Sequence, residues 1–262
     1  MPKTARAVLP NAGIRAAYAA RLEKEIAAMQ KSISYWVESA YKKRESEIVG
    51  DASPARDILD RFDKESRRWL KRWNWLAERL GVRVVKRLGK TSASALRRAF
   101  ADAGFTVKFE GNRIVNTVTQ SLIAENVGLI KTIPRHYLAE VRGIITRGVS
   151  MGNDVSYITK EIEKRYKLEK HKAKRIARDQ VNKANEAINT AWARKFNITK
   201  AHWVHIPGVK SSRPTHKAMD GEEFNIDEGL YDSNKYVMRF VKPGELPYCQ
   251  CTQRYVIPQI GD

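Results

Sequence analysis

From Ile14 to Phe196 apolar residues return at steps of three and four, a period that commits most of this chain to helix. The first segment, about Ile14–Ile48, carries Leu22, Ile26, Met29, Ile33, Trp36 and Ala40 on one stripe and closes at Gly50. It reads as a bundle helix or a partner-binding one. A second helix opens with Ser53 as N-cap and Pro54 at its first position. Its stripe of Leu59, Phe62, Ser66, Trp69, Trp73 and Leu76 runs to a stop at Gly81. Ser92–Ala103 forms a shorter helix ending at Gly104, and the alternating Phe105–Phe109 reads as a short strand. A helix from Arg113 to about Ile130 follows. Pro134 starts the next, with Leu138, Val141 and Ile145 inward and Gly148 as its stop. Asn153 or Asp154 caps a helix bearing Ile158, Ile162 and Tyr166. The last, about Glu169–Phe196, turns Ile176, Val181, Ala184, Ile188 and Ala191 to its apolar side.

After Asn197 the texture changes. Ala201–Ile206 and Gln253–Ile257 read as strands, with a third near Tyr236–Val241 inside a long stretch broken by Gly and Pro. A long structureless loop in a compact domain is usually functional or anchored. The expected class is mainly α: an elongated helical N-terminal part and a small α+β C-terminal module with a short antiparallel sheet. Three regions follow: 1–110, basic and helical; 111–196, helical; and 197–262, loop-rich with the small sheet.

Charge separates these regions further. The chain carries 49 Lys and Arg against 29 Asp and Glu, a net of +20 and a pI near 10.0. Seven basic and eight acidic residues fall in 201–262, so residues 1–200 hold all the excess, +21. A balance that far from neutral points to a polyanionic partner, nucleic acid before a membrane surface. No apolar run approaches the ~18 residues of a membrane span, and the N-terminus lacks the apolar stretch of a secretory signal. Two cysteines in 262 residues are no disulfide framework. The expected place of work is a cytosol, or something assembled in one. Nothing resembles a helix-turn-helix or a zinc finger that would read DNA sequence.

Three constellations carry chemistry. Trp69, Trp73 and Trp75 are interleaved with Arg67, Arg68, Lys71, Arg72 and Arg79. That pattern can stack on bases and contact phosphates; at helical spacing it also fits core tryptophans beneath a solvated cationic face. Arg67, Arg68, Lys71 and Arg72, with Lys172, Lys174 and Arg175, are the candidate DNA-binding residues. On the last helix Arg178, Asn182, Asn185 and Asn189 make a polar stripe at steps of four, three and four. Asparagine is a poor helix former, so three of them suggest specific hydrogen bonds; a solvated face is the rival reading. Finally, Cys249 and Cys251 with His216 supply three of the four tetrahedral ligands zinc takes, and His205 or His202 could be the fourth. Cys-x-Cys departs from the usual spacing of zinc sites, so reduced structural cysteines or a bridge formed on oxidation stay open. Zinc is the one cofactor the sequence suggests.

Glu125–Gly148, then ITKEIEKRY, IARDQVNKA, SSRPTHKAMDGEEF and PYCQCTQRYVIP, resemble in order and spacing the phage head morphogenesis proteins of the Mu F type, over about Glu125–Pro258. By motif match the resemblance carries over Arg178, Asn182, Arg213, His216, Asp220, Gly221, Cys249 and Cys251. It implies a minor head protein of a tailed bacteriophage, acting in procapsid assembly or genome delivery. The implied partners are the portal protein and phage double-stranded DNA, with major capsid or scaffolding protein as a further partner and no membrane during assembly. It also implies several copies per particle, inside the head near the portal vertex, after synthesis in the host cytoplasm. Relatives often have Glu where this chain has Gln180, which removes a carboxylate base from that helix. The expectation is therefore a non-enzyme. The alternative is a nuclease-like enzyme using Arg178, Arg213 and His216, with Asp220 beside them; an arginine clamp and a histidine acid/base suit phosphodiester cleavage.

Overall fold

The computed structural model describes residues 3–42, 52–111, 113–151, 155–207 and 212–258. Four long helices lead: α1 (Ala12–Lys42), α2 (Ala52–Asp102), α3 (Arg113–Ser150) and α4 (Val155–Lys195). The remainder runs β1 (Lys200–Val204), α5 (Pro214–Ala218), β2 (Glu223–Asn225), β3 (Leu230–Asp232), β4 (Arg239–Val241) and β5 (Thr252–Tyr255). The class is the expected one, mainly helical with a short antiparallel sheet near the C-terminus. Gly50, the side chains of Ser53 and Pro54, Asn153 and Asp154 lie outside the described residues, as does the chain from 43 to 51.

Several expected stops are not stops. Gly81 lies inside α2, and Ser92–Ala103 continues the same helix. A Cβ at Gly81 would stand 2.8 Å from Val127 Cγ2, so this glycine serves a close approach between helices. Pro134 and Gly148 both lie inside α3, and a Cβ at Gly148 would meet Ile158 Cδ1 and Cγ1 at 2.5 Å. Tyr166 and Glu169 belong to one uninterrupted α4, since no breaker separates them. Packing against neighbours outweighs the local cost of glycine or proline in each case.

The chain divides into two compact units, and the division falls inside all four helices. One comprises 17–81 and 125–176, and its elements among the described residues are all helices. Tyr18, Leu22, Ile26, Met29, Ile33 and Val37 line its core from α1; Trp36, one residue off this stripe, is 37% exposed. Ile58, Phe62, Trp73 and Leu76 enter from α2, Ile130, Ile133, Tyr137, Val141 and Ile145 from α3, and Ile158 and Ile162 from α4. Two buried carboxylates are each met by basic side chains. Glu25 takes Arg72 Nε at 2.9 Å and Arg21 Nη2 at 2.7 Å; Glu169 has Lys172 Nζ at 3.3 Å and the His136 ring at 3.2 Å.

The other unit comprises 1–16, 82–124 and 177–262. Its sheet has the order β2-β1-β5, antiparallel, with Ala201 opposite both Phe224 and Tyr255; β3 and β4 form a separate antiparallel pair. The N-terminal segment extends the β5 edge: Thr4 bridges Val256, Ala5 N–H donates to Tyr255 O (2.8 Å) and Ile257 N–H to Lys3 O (2.8 Å). Phe105–Phe109 is not a strand. Its aromatic ends instead join an aromatic cluster, Phe109 lying 4.7 Å from Trp192 and 5.0 Å from Phe196 by ring centroid, and Phe105 5.7 Å from Phe100. Of the expected strands, Ala201–Ile206 is observed as β1, Gln253–Ile257 as β5 and the one near Tyr236–Val241 as β4.

Candidate metal centre

His216 sits on α5, a single turn begun by Pro214, whose fixed φ suits a first helical position. The ring packs edge-on against Trp203 of β1, 5.1 Å between centroids, and is buried. Its Nε2 lies 3.1 Å from Asp232 Oδ2 at the end of β3, and Asp232 is wholly buried. Oδ1 of the same carboxylate accepts the Asn234 N–H at 2.9 Å. Burial alone would raise the Asp232 carboxyl, but Asn234 and His216 more than offset it, and its pKa lies below the ordinary range. An ionised carboxylate only accepts, so Nε2 is the donor of this pair, and in a neutral ring Nδ1 is then the acceptor.

Nδ1 faces two sulfurs. His216 Nδ1 is 3.4 Å from Cys249 Sγ and 3.7 Å from Cys251 Sγ, and both thiols are buried and unbridged. The three ligand atoms lie within 4.8 Å of one another. His205, just past β1, brings Nδ1 to 3.8 Å from Cys251 Sγ. All four side chains line one cleft, with Arg213, Tyr248 and Gln250. Hydrogen bonding from Cys251, with His216 adding to it, pulls the Cys249 thiol well below its usual range, and the same pairing pushes Cys251 up.

The loop that delivers the cysteines is held at several points. Tyr248 adopts φ +63°, and its N–H donates to Asp179 Oδ1 at 2.6 Å. Arg213 Nη2 donates to Pro247 O at 3.1 Å, and Asn182 Nδ2 to Cys249 O at 3.4 Å. Asp220 Oδ1 accepts the His205 N–H at 2.8 Å; Gly221, at φ +87°, donates its N–H to Trp203 O at 2.9 Å. His202, the other candidate fourth ligand, is turned instead to Gly221 O, 3.1 Å from Nδ1.

The polar stripe of α4 is no solvated face. Asn182, Asn185 and Asn189 are buried, and Asn185 Nδ2 donates to Val8 O (2.8 Å) and Glu186 Oε1 (2.9 Å) while its Oδ1 accepts from Ser92 Oγ (2.9 Å). Arg178 is half-buried, and its Nε has no hydrogen-bond partner among the described residues. Gln180 is buried. Arg178, Arg213, His216 and Asp220 thus belong to one unit, three of them within the structure that carries the cysteines. Asp232 and Asp179 were not singled out from sequence. Each is a lone acid without a local pattern, and only the folded chain brings them to His216 and Tyr248.

The candidate DNA-binding residues lie in the helical unit. Arg67, Arg68, Lys71, Arg72, Lys174 and Arg175 are exposed, and Lys172 is half-buried. Some are already engaged: Arg68 with Glu65 (2.7 Å), Arg72 with Glu25, Lys172 with Glu169 and Lys174 with Glu23 (3.5 Å). Trp73 is core, as its spacing suggests, and Trp69 half-buried; Trp75 is 56% exposed with the Arg79 guanidinium 4.5 Å from its ring centroid.

No solved structure matches this chain. An uncharacterised protein of Haemophilus influenzae is 28% identical over 133 residues, covering 51% of this chain and 28% of that protein. The chain thus spans less than a third of that relative's length. The family described as Phage Mu protein F like protein matches residues 139–254, within the expected span of Glu125–Pro258 and across α5, β1 to β4, most of β5 and both cysteines. Residues 139–254, the stretch that builds this centre, are thus similar to the Phage Mu protein F like family.

Proposed function

We propose that the protein is a minor head component of a tailed bacteriophage. In this reading it associates with the portal and the packaged double-stranded DNA and acts in procapsid assembly or genome delivery. The match of residues 139–254 to a family described from phage Mu carries the proposal. The charge supports it, since +20 overall favours a polyanionic partner and phosphate contact without base readout requires only cation density. Among the described residues no helix is long and apolar enough to cross a membrane.

The role is architectural rather than catalytic. Arg213, His216 and Asp220 each have a partner inside the fold, at Pro247, Asp232 and His205. The protein would be made in the host cytoplasm and retained inside the head near the portal vertex in several copies. It would there touch portal, DNA and major capsid or scaffolding protein.

Quantitative mass spectrometry of particles purified from the producing strain tests this. The expected result is a stoichiometry well above background and far below that of the major capsid protein. Absence from particles while the protein accumulates in cells would overturn it. Nucleic acid incubated with wild type and with His216→Ala should decay equally, at background rate; faster decay with wild type would favour the nuclease.

A further inference from the structure

We propose that Cys249, Cys251, His216 and His205 form a structural zinc site, with Asp232 as the carboxylate that orients His216. This stands independently of the head-protein reading.

The geometry argues for it first. Tetrahedral zinc with bonds of about 2.3 Å to sulfur and about 2.0–2.1 Å to nitrogen sets each S···N edge near 3.6 Å. Those from His216 Nδ1 to Cys249 and Cys251 Sγ are 3.4 and 3.7 Å, within a group of three ligand atoms no more than 4.8 Å apart; His205 Nδ1, 3.8 Å from Cys251 Sγ, stands outside that group and would close in on the ion as the fourth ligand. One ion between these groups satisfies both sulfurs and both imidazoles at once.

The carboxylate behind His216 argues for it next. A metal-bound histidine donates its other ring N–H to a carboxylate or carbonyl, which fixes the tautomer. Asp232 Oδ2 stands 3.1 Å from His216 Nε2, placed for that bond, while Nδ1 on the far side of the ring faces both sulfurs. Rival uses of the same residues leave something idle. A Cys249–Cys251 bridge gives His216 Nδ1 and His205 no role. A nucleophilic Cys249 with His216 as base gives none to Cys251, and buries the nucleophile.

The donor set selects the metal. Two thiolates and two imidazoles in tetrahedral array are soft to borderline ligands suited to zinc, and four protein ligands leave no open position. The site would tie together the end of β1, the single turn of α5 and the loop before β5. These are short elements that bury little apolar surface by themselves.

Elemental analysis of the full-length untagged protein, purified under reducing conditions without chelator, should find one zinc per chain. The cobalt-substituted protein should show a thiolate charge-transfer band and the strong visible absorption of tetrahedral coordination. Because Cys249→Ser can unfold the chain, wild type is also stripped with a strong chelator; its Tm should fall and recover on adding zinc. His205→Ala, at the outer side of the cleft, should keep the circular dichroism spectrum and bind zinc at least tenfold more weakly. Only traces of metal with a Tm indifferent to chelator would overturn the proposal, as would another metal in stoichiometric amount. Unchanged zinc affinity in His205→Ala, or rapid alkylation of Cys249 in the protein as purified, would overturn it too.

Discussion

At the scale of single residues the most consequential groups are two buried acids. Glu186 Oε1 accepts from Thr252 Oγ1 (2.8 Å) and Asn185 Nδ2 (2.9 Å). Its Oε2, Asn182 Oδ1 and Asn189 Oδ1 are buried acceptors with no donor among the described residues. A proton on Glu186 turns one of these acceptors into a donor, and burial pushes its carboxyl up to about 8 from an ordinary 4.5. The folded chain then holds a proton that the unfolded chain releases, so stability present at low pH is lost as pH rises from about 4.5 through about 8. Glu186→Gln removes the titration and keeps the shape; its Tm should decline less across that window than wild type, and parallel curves would place the titration elsewhere. Asp232→Asn tests the other acid. An amide can donate to His216 Nε2 and drive the proton to Nδ1, so zinc affinity should fall about 10–100-fold while the fold persists. Equal affinity would refute the tautomer argument. Cys249, Cys251 and His216 were legible in the sequence because metal-binding residue types announce themselves. Glu186 was not: a glutamate on a helix of lysines and asparagines reads as surface until the strands cover it.

At the scale of elements, helix was legible and its interruptions were overread. The three-and-four period marked the helical stretches, yet Gly81, Pro134 and Gly148 looked like ends because local propensity was weighed without the neighbours that occupy the space. The two interior glycines of α2 separate these effects. Gly81 has Val127 Cγ2 at 2.8 Å from an added Cβ, and Gly89 has nothing within 4 Å. Gly81→Ala should destabilise by about 1–3 kcal/mol, as overpacking does. Gly89→Ala should stabilise by about 0.5–1 kcal/mol, the helix cost of glycine being removed. Denaturant melts of both variants check the pair, and a loss at Gly89 would contradict the open space around it. The small strands were only partly legible. β2 and β3 are three residues long, too short for alternation to show, and α5 has five. What fixes them is pairing across sequence, as where Lys200–His202 takes Glu223–Asn225 on one side.

For the molecule as a whole, charge makes the nearest prediction. DNA affinity should fall linearly with salt on logarithmic axes, by about 10³–10⁵ between 50 and 200 mM if six to ten phosphates are met. It should be the same for any sequence. Replacing Arg67 and Lys71 by Glu should flatten the slope, whereas a salt-independent Kd would rule out phosphate contact as the basis of binding. The pairing of residues 3–5 with 255–257 has a different kind of consequence. These are the most distant partners in the described chain, so the ribosome will have polymerised nearly all of it before they can meet. The helical unit has its last residue at Ile176 and can complete itself while synthesis continues. The sheet-bearing unit, by contrast, is bound to fold late, with its N-terminal segment waiting, and a polymerase or ribosome that stops short of β5 leaves that early segment with nothing to join.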